Sequence, residues 1–394
     1  MHLKGVTRRG SMALAAGVLV TNVRSAVAQP RRSGNWSSVE RLVTKAVAER
    51  VTPGLQLCVW RAGQPVYSRG FGSANLEVAA ALTPTSVMRI GSITKQFTAA
   101  ALLLLQEDGR LSVDDPLSRF VPELEPGKQV SLRQMLTHVS GLAISPSDGP
   151  AARRGLEIIE HDTASMVAAI QSRKPELRTP PGTQWVYNNL AYRLLGVVAE
   201  RASGARLRDL FKARLFDPAG LRRTAVEDIG EVLPERAAGY TPAPGEVQRF
   251  RNASPNSLSF TGGAGNMRST AEDLCRWHDV LLGGRLLRPD SLKAMLTPVR
   301  LNDGSLPPGR GELGASEPLR YGFGVELRAE GGRPAVTHTG GNDGFVSQLT
   351  SYPDARVSVA GIINSDRGGK PQNVSPNEQV LRAAVTEAAR IALA

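Results

Sequence analysis

Ser92-Ile93-Thr94-Lys95 sets a hydroxyl and an amine three residues apart at the start of a long apolar helix, Ile93 to Glu107. One helical turn brings both side chains to one face. A serine hydroxyl near its free pKa is a poor nucleophile. A lysine beside it lowers the cost of ionisation or, when desolvated, accepts the proton. Two further elements lie downstream. Tyr187-Asn188-Asn189 follows the turn Thr179-Pro180-Pro181-Gly182-Thr183 and precedes the apolar helix Leu190 to Ala202, which puts a phenol and a carboxamide at a turn-to-helix junction. His338-Thr339-Gly340 ends an extended segment, with Gly341, Gly344 and Phe345 immediately after. In chain order the three read S-x-x-K, Y-x-N, H-T-G, each at an element boundary.

This order resembles the serine β-lactamase and penicillin-binding protein-like family, in its branch of class C β-lactamases, D-alanyl-D-alanine carboxypeptidases, D-aminopeptidases and related esterases. Met88-Arg89-Ile90-Gly91, Asp108-Gly109-Arg110-Leu111, Met135-Leu136-Thr137-His138 with Ser140-Gly141-Leu142, and Tyr321-Gly322-Phe323-Gly324 extend the resemblance over nearly the whole chain. It implies an α/β (α+β) fold of the β-lactamase/transpeptidase-like type. Such a fold has an antiparallel sheet flanked by N- and C-terminal helices, with a large helical lobe inserted.

The residues and the resemblance together assign roles. Ser92 is expected to be the nucleophile, and its place at a helix start leaves its backbone N–H free for an oxyanion. By resemblance the second donor is the N–H of Gly341. Lys95 is expected to join Ser92 and Tyr187 in one network, and a cation near a phenol makes Tyr187 a plausible general base. Asn189 would orient Lys95 and the substrate amide. His338 departs from the lysine of the common lactamase pattern and resembles the carboxypeptidase and aminopeptidase members. A neutral imidazole pulls less on a carboxylate than an ammonium does. Its expected work is to hydrogen-bond the tyrosine or the leaving group and, with Thr339, to seat a substrate carboxylate; Gly340 and Gly341 complete that substrate-binding edge. His138 is expected to be structural. A class A lactamase would carry an S-D-N element and a glutamate base, and neither is evident, so deacylation is expected to depend on the tyrosine and lysine.

Composition narrows the remaining classes. The formal charge is +12, of which Lys4, Arg8, Arg9 and Arg24 supply four, leaving +8 for residues 29–394. Arginine pairs such as Arg31-Arg32, Arg153-Arg154 and Arg222-Arg223 are scattered without a basic stripe or interleaved aromatics, so nucleic acid is not an expected partner. The excess suits anionic envelope polymers, with peptidoglycan a candidate, or a carboxylate-bearing small molecule or peptide. The five histidines show no metal spacing and no phosphate-binding glycine pattern precedes a helix, so neither metal nor cofactor is expected. Cys58 in a strand and Cys275 in a helix look like small buried hydrophobes, with a pairing between them left open.

Residues 1–28 read as a signal peptide. Arg8-Arg9 precede the short apolar run Met12 to Val20, and Ala26-Val27-Ala28 is a small-x-small cleavage site. The paired arginines favour twin-arginine export over the general route, hence a periplasmic or secreted protein without a membrane anchor. Residues 29–394 are expected to be one domain. An α/β lobe would comprise about 35–85 plus 300–394, and a mostly helical lobe about 86–299. A helix carrying Val39, Leu42, Val43, Ala46 and Val47 leads into strands Leu55 to Trp60 and Val66 to Phe71. Strands return at Val325 to Arg328, Ala335 to Thr339, Phe345 to Tyr352 and Val357 to Ile363, and a helix from Glu378 to Ala392 closes the chain. Pro122 to Gly127, Ser145 to Pro150 and Leu301 to Glu317 read as loops. The motifs are therefore expected to meet in a cleft between lobes, acting through an acyl-enzyme on a D-amino-acid peptide or amide or a small ester. A true β-lactamase and a non-catalytic envelope binder stand as the alternatives.

Overall fold

The structure, a computed structural model, describes residues 34–143, 158–243, 249–309, 318–368 and 374–394, with His2 and Gly155. The leader, apart from His2, and the loop Ser145 to Pro150 lie outside the described residues. In chain order the elements that place the site are α1 (Ser37–Ala48), β1 (Gly54–Arg61), β2 (Gln64–Asn75), β3 (Ala80–Ala81), α2 (Thr94–Glu107), α3 (Asn189–Ser203) and α4 (Ala271–Leu282). They are followed by β4 (Glu326–Glu330), β5 (Arg333–Asn342), β6 (Phe345–Tyr352), β7 (Val357–Ile363) and α5 (Pro376–Leu393).

Period-two burial builds the sheet. In β1, Leu55, Leu57 and Val59 enter one core while Cys58 and Trp60 enter the other. Among the described residues the strands form one seven-stranded sheet in the order β4-β5-β6-β7-β1-β2-β3, with every neighbouring pair antiparallel. The chain thus starts in this sheet, leaves it after β3, and returns to fill the far half. Leu55 pairs with Ile363 and Arg61 with Val357, so first and last strands lie side by side at the centre. One face is covered by α1 and α5 through Val39, Val43, Leu381, Val385 and Ala388. Gly361 lets α5 approach, since a Cβ there would stand 2.6 Å from Leu381.

The opposite face joins the helical part. Gln56 bridges the two: its Nε2 donates to the carbonyls of Thr83 and Ser86 at 2.8 and 3.0 Å, and its Oε1 accepts from the Ala271 N–H at 2.6 Å. That last bond satisfies a donor at the start of α4. Trp277 of α4 stacks on Phe97 of α2 at 4.0 Å between ring centroids, so α2 is buried almost throughout its length. Among the described residues no helix is long and apolar enough to cross a membrane. Cys58 and Cys275 are both free and buried, and the Cys275 thiol donates to the Cys58 carbonyl at 3.5 Å. Burial pushes the Cys58 thiol well up, which keeps it protonated.

Three short strands escape periodicity: Met88–Arg89, Ala225–Val226 and Met267–Ser269 form a small antiparallel sheet. Two or three residues are too few to show alternation. Their effect is local, because they lay the chain just before Ser92 against the chain just after Ala264.

His278 of α4 is buried with Nε2 at 2.8 Å from Gln96 Oε1 and Nδ1 at 2.7 Å from Ser351 Oγ. Burial pushes its pKa down to about 3. The native state therefore holds it neutral, whereas the unfolded chain takes up a proton near pH ~6.5. Stability contributed by this residue is complete above about pH 6.5 and falls as pH drops toward 3, at up to ~1.4 kcal/mol per pH unit. Denaturant titrations at pH 4.5 to 6 should show this slope, and His278→Gln should flatten it by up to one proton's worth. An unchanged slope would mean that His278 is not held neutral.

Candidate active site

The nucleophile candidate stands half-buried in a 3-10 turn, Gly91–Ile93, that runs directly into α2. The long helix begins at Thr94, one residue later than the Ile93 start that the sequence predicts, because Ile93 belongs to the 3-10 turn opened by Gly91 at φ +51°. Ser92 occupies the first turn, where a backbone N–H has no intrahelical acceptor. Lys95, one turn on, is fully buried. Its Nζ donates to Ser92 Oγ at 2.9 Å, Asn189 Oδ1 at 2.8 Å and the Ala264 carbonyl at 2.9 Å. Three acceptors match the three protons of an ammonium.

Each acceptor is placed by its own local chemistry. Asn188 caps α3, its Oδ1 accepting the Ala191 N–H at 3.0 Å and its Nδ2 donating to the Leu142 carbonyl. That cap fixes Asn189 on the first turn and Tyr187 just before it. Ala264 belongs to the glycine-rich turn Gly262-Gly263-Ala264-Gly265, which closes tightly on α2 and α3. A Cβ on Gly263 would stand 2.7 Å from the Tyr192 carbonyl and 2.9 Å from Thr98 Oγ1. The Ala264 carbonyl is the site contact that sequence reasoning missed; the only signal for it was this cluster of glycines.

Tyr187 is half-buried and places its ring centroid 4.8 Å from Lys95 Nζ; Tyr192 lies on another side at 5.5 Å. Beyond these rings stands His138, 4.5 Å from Tyr187, 5.1 Å from Tyr192 and 4.9 Å from Tyr321 between centroids. Burial, reinforced by Lys95 and His338, holds the His138 imidazole well below its ordinary pKa, so it is neutral.

The H-T-G segment lies on β5. His338 faces the helical side with Val336, and its two ring nitrogens are engaged within the protein, Nε2 by Tyr321 at 2.9 Å and Nδ1 by the Thr339 carbonyl at 2.6 Å. Thr339 pairs with Gln348, and strand alternation turns it to the α5 face, where it is buried. The two residues expected to share a carboxylate thus lie on opposite faces. What β5 presents beside Ser92 is backbone. A Cβ on Gly91 would stand 2.5 Å from the Gly341 nitrogen, and a Cβ on Gly340 would stand 1.9 Å from the Ile90 carbonyl oxygen. Close approach of these glycines brings the exposed Gly341 N–H to the turn that carries Ser92. Among the described residues no cluster of three histidines, cysteines or carboxylates is placed to hold a metal ion.

A family description, Beta-lactamase, matches residues 39–383, nearly the whole of the described chain. The chain belongs to the beta-lactamase family. Membership carries the enzyme class with it, a serine hydrolase of the β-lactamase-related type. Within the family the chain is 29% identical to penicillin-binding protein 4* of Bacillus subtilis, over 82% of this chain and 69% of that protein. It is 27% identical to the D-aminopeptidase of Gluconobacter oxydans over 83% of this chain but 58% of that protein. The fold matches the D-amino acid amidase of Ochrobactrum anthropi with a TM-score of 0.76 at 24% identity, covering 91% of this chain and 99% of that one.

The glycine contact is directly testable. Gly340→Ala should lower folding stability by about 2 to 3 kcal/mol, since backbone rather than a flexible side chain must yield. Chemical denaturation measures it, and a loss under about 0.5 kcal/mol would show that β5 and the Ser92 turn are not in tight contact.

Proposed function

We propose that this chain is an exported hydrolase that forms an acyl-enzyme on Ser92 with D-amino-acid amides or peptides or with small esters. The reading is carried by the buried Lys95 ammonium, whose three protons go to Ser92, Asn189 and Ala264. Because Lys95 donates to Ser92 Oγ, the serine's own proton is directed elsewhere, and Tyr187 is the base left to receive it. The Lys95 ammonium lies 4.8 Å from the centre of its ring. Ser92 Oγ adds to the substrate carbonyl as its proton passes to Tyr187. The oxyanion forms between the N–H groups of Ser92 and Gly341. Collapse expels the amine or alcohol, which takes the proton from Tyr187, and leaves an ester on Ser92. Water, deprotonated by the same phenolate, releases the acid and restores the serine.

The D-amino-acid class rests on the D-aminopeptidases among the similar proteins and on the fold shared with a D-amino acid amidase. The export reading rests on Arg8-Arg9, the run Met12 to Val20 and Ala26-Val27-Ala28, with peptidoglycan peptides as the envelope substrate.

A panel of a p-nitrophenyl ester, a D-amino-acid amide, a D-Ala-D-Ala peptide and a chromogenic cephalosporin tests the substrate class. Turnover of the amide or ester above the cephalosporin supports the proposal; preferential cephalosporin hydrolysis makes the chain a true β-lactamase. Ser92→Ala should abolish turnover and labelling by a fluorophosphonate while leaving the fold intact, with the wild-type adduct found on Ser92 by mass spectrometry. An adduct on another serine would sink the assignment. Tyr187→Phe should slow acylation and deacylation by on the order of 10²-fold or more. Unchanged turnover in that variant would pass the role of base to Lys95.

A further inference from the structure

The glycine-rich turn leaves a notch beside the nucleophile. Chain neighbours aside, a Cβ on Gly265 would have as its nearest atoms Asn342 Oδ1 and Thr261 Oγ1, each at 3.7 Å, and the Gly91 carbonyl carbon at 3.8 Å. Room for one heavy atom is therefore left where three segments meet: the turn, the end of β5 and the peptide that leads into Ser92. Asn342 and Thr261 are half-buried, so the notch is not sealed from solvent.

Its two side-chain oxygens share one chemistry. Thr261 Oγ1 gives its proton to the Leu258 carbonyl at 2.6 Å, and Asn342 Nδ2 donates to the Gly265 carbonyl at 3.1 Å. A carbonyl only accepts, so these bonds commit the single threonine proton and turn the carboxamide nitrogen, not its oxygen, toward the Gly265 carbonyl. What each side chain has left is an acceptor. Among the described residues neither oxygen receives a hydrogen bond.

A notch of acceptors suits a donor with more than one N–H. A substrate attacked by Ser92 carries its α-nitrogen two bonds from the reacting carbonyl carbon, and Ser92 follows directly on Gly91, one wall of the notch. Lys95 holds the preceding carbonyl of the same turn, that of Ala264, and disfavours a second full charge nearby. A primary amine keeps two N–H donors when uncharged, whereas an N-acylated nitrogen has one. We propose that Asn342 and Thr261, across the gap left by Gly265, form the subsite for a free primary amine on the acyl side of the substrate. This narrows the substrate class to α-amino amides over N-acylated or amine-free ones, and in that respect it rests on the hydrolase reading above.

The subsite can be read without turnover. Titration calorimetry of the Ser92→Ala protein at pH ~8, where about half of an α-amine is uncharged, compares D-phenylalanine amide with hydrocinnamamide, the same amide with hydrogen in place of the amine. The amine-bearing ligand should bind about tenfold more tightly. Equal affinities, or no binding of either, would overturn the proposal, and this comparison needs no altered notch. Two further changes, each added to Ser92→Ala, locate the amine. Gly265→Ala fills the notch with a methyl at ordinary contact distances, and Thr261→Val removes an acceptor at nearly constant shape. Each should cut the affinity ratio about threefold or more. A ratio that survives in either folded variant would place the amine elsewhere. Ammonia release by the wild-type enzyme separates the two readings. Preferential binding of the amine without any release would count against the hydrolase and support the subsite. Release from both amides at equal kcat/KM would support the hydrolase and overturn the subsite.

Discussion

A lysine ammonium without access to water is the constraint on which the arrangement around Ser92 depends. Burying such a charge is strongly unfavourable unless every proton finds an acceptor. Lys95 meets this condition with three acceptors from three places in the chain: its own helix start, the first turn of α3 and the glycine-rich turn that contains Ala264. Loss of any one would leave a buried cation under-satisfied, so the three segments are held in mutual register by one charge. The faces of Tyr187 and Tyr192 complete the shell with their negative quadrupoles. The hydroxyl that such a shell needs as an acceptor is the same hydroxyl that the proposed chemistry uses as a nucleophile.

Glycines let the backbone close on that charge. Gly324, at φ +71°, sits so near Lys95 that a Cβ would stand 2.8 Å from its carbonyl carbon and oxygen. The same turn carries Tyr321, so pressing Gly324 against α2 also delivers the phenol to His138 and His338. Gly91 and Gly340 do the equivalent on the other side by removing the Cβ atoms that would separate the Ser92 turn from β5. Site geometry here is set by backbone contact more than by side-chain reach. Backbone contact is the stiffer of the two, as the proposed oxyanion stabilisation requires.

Much of this was legible in the chain. Ser92 and Lys95 are three residues apart on a helix, so their proximity is a local property that periodicity reports. The strands Leu55 to Trp60, Phe345 to Tyr352 and Val357 to Ile363 are runs bounded by turn residues and so can be read, and they form the centre of the sheet. The class of fold followed from the order of the motifs and matches the observed sheet with its flanking helices. Other features carried no side-chain signature. The Ala264 carbonyl is a backbone atom of an unremarkable residue. The three-stranded sheet around Met88–Arg89 is too short to alternate. Glu125–Lys128, which overlaps the expected loop Pro122 to Gly127, makes a 3-10 turn with Pro126 as its second residue, whose fixed φ suits a helical first turn. Thr339 directly follows His338 in the H-T-G motif, and strand alternation sends neighbouring side chains to opposite faces.

The histidine in the third motif gains its meaning from this setting. A lysine at that place would put a second ammonium near the one already buried, and each would disfavour the other in a medium with little water to screen them. The buried His338 ring lies 2.9 Å from the Tyr321 oxygen and 2.6 Å from the Thr339 carbonyl, and His138, held neutral by burial, stands behind the same phenol. The aromatic and imidazole rings packed from Trp185 through His138 to Tyr187 then present a weakly polar wall, 4.5 to 6.3 Å between ring centroids, beside a single cation. A wall of this kind helps to keep water from the buried ammonium, and charge acts more strongly there than in bulk solvent.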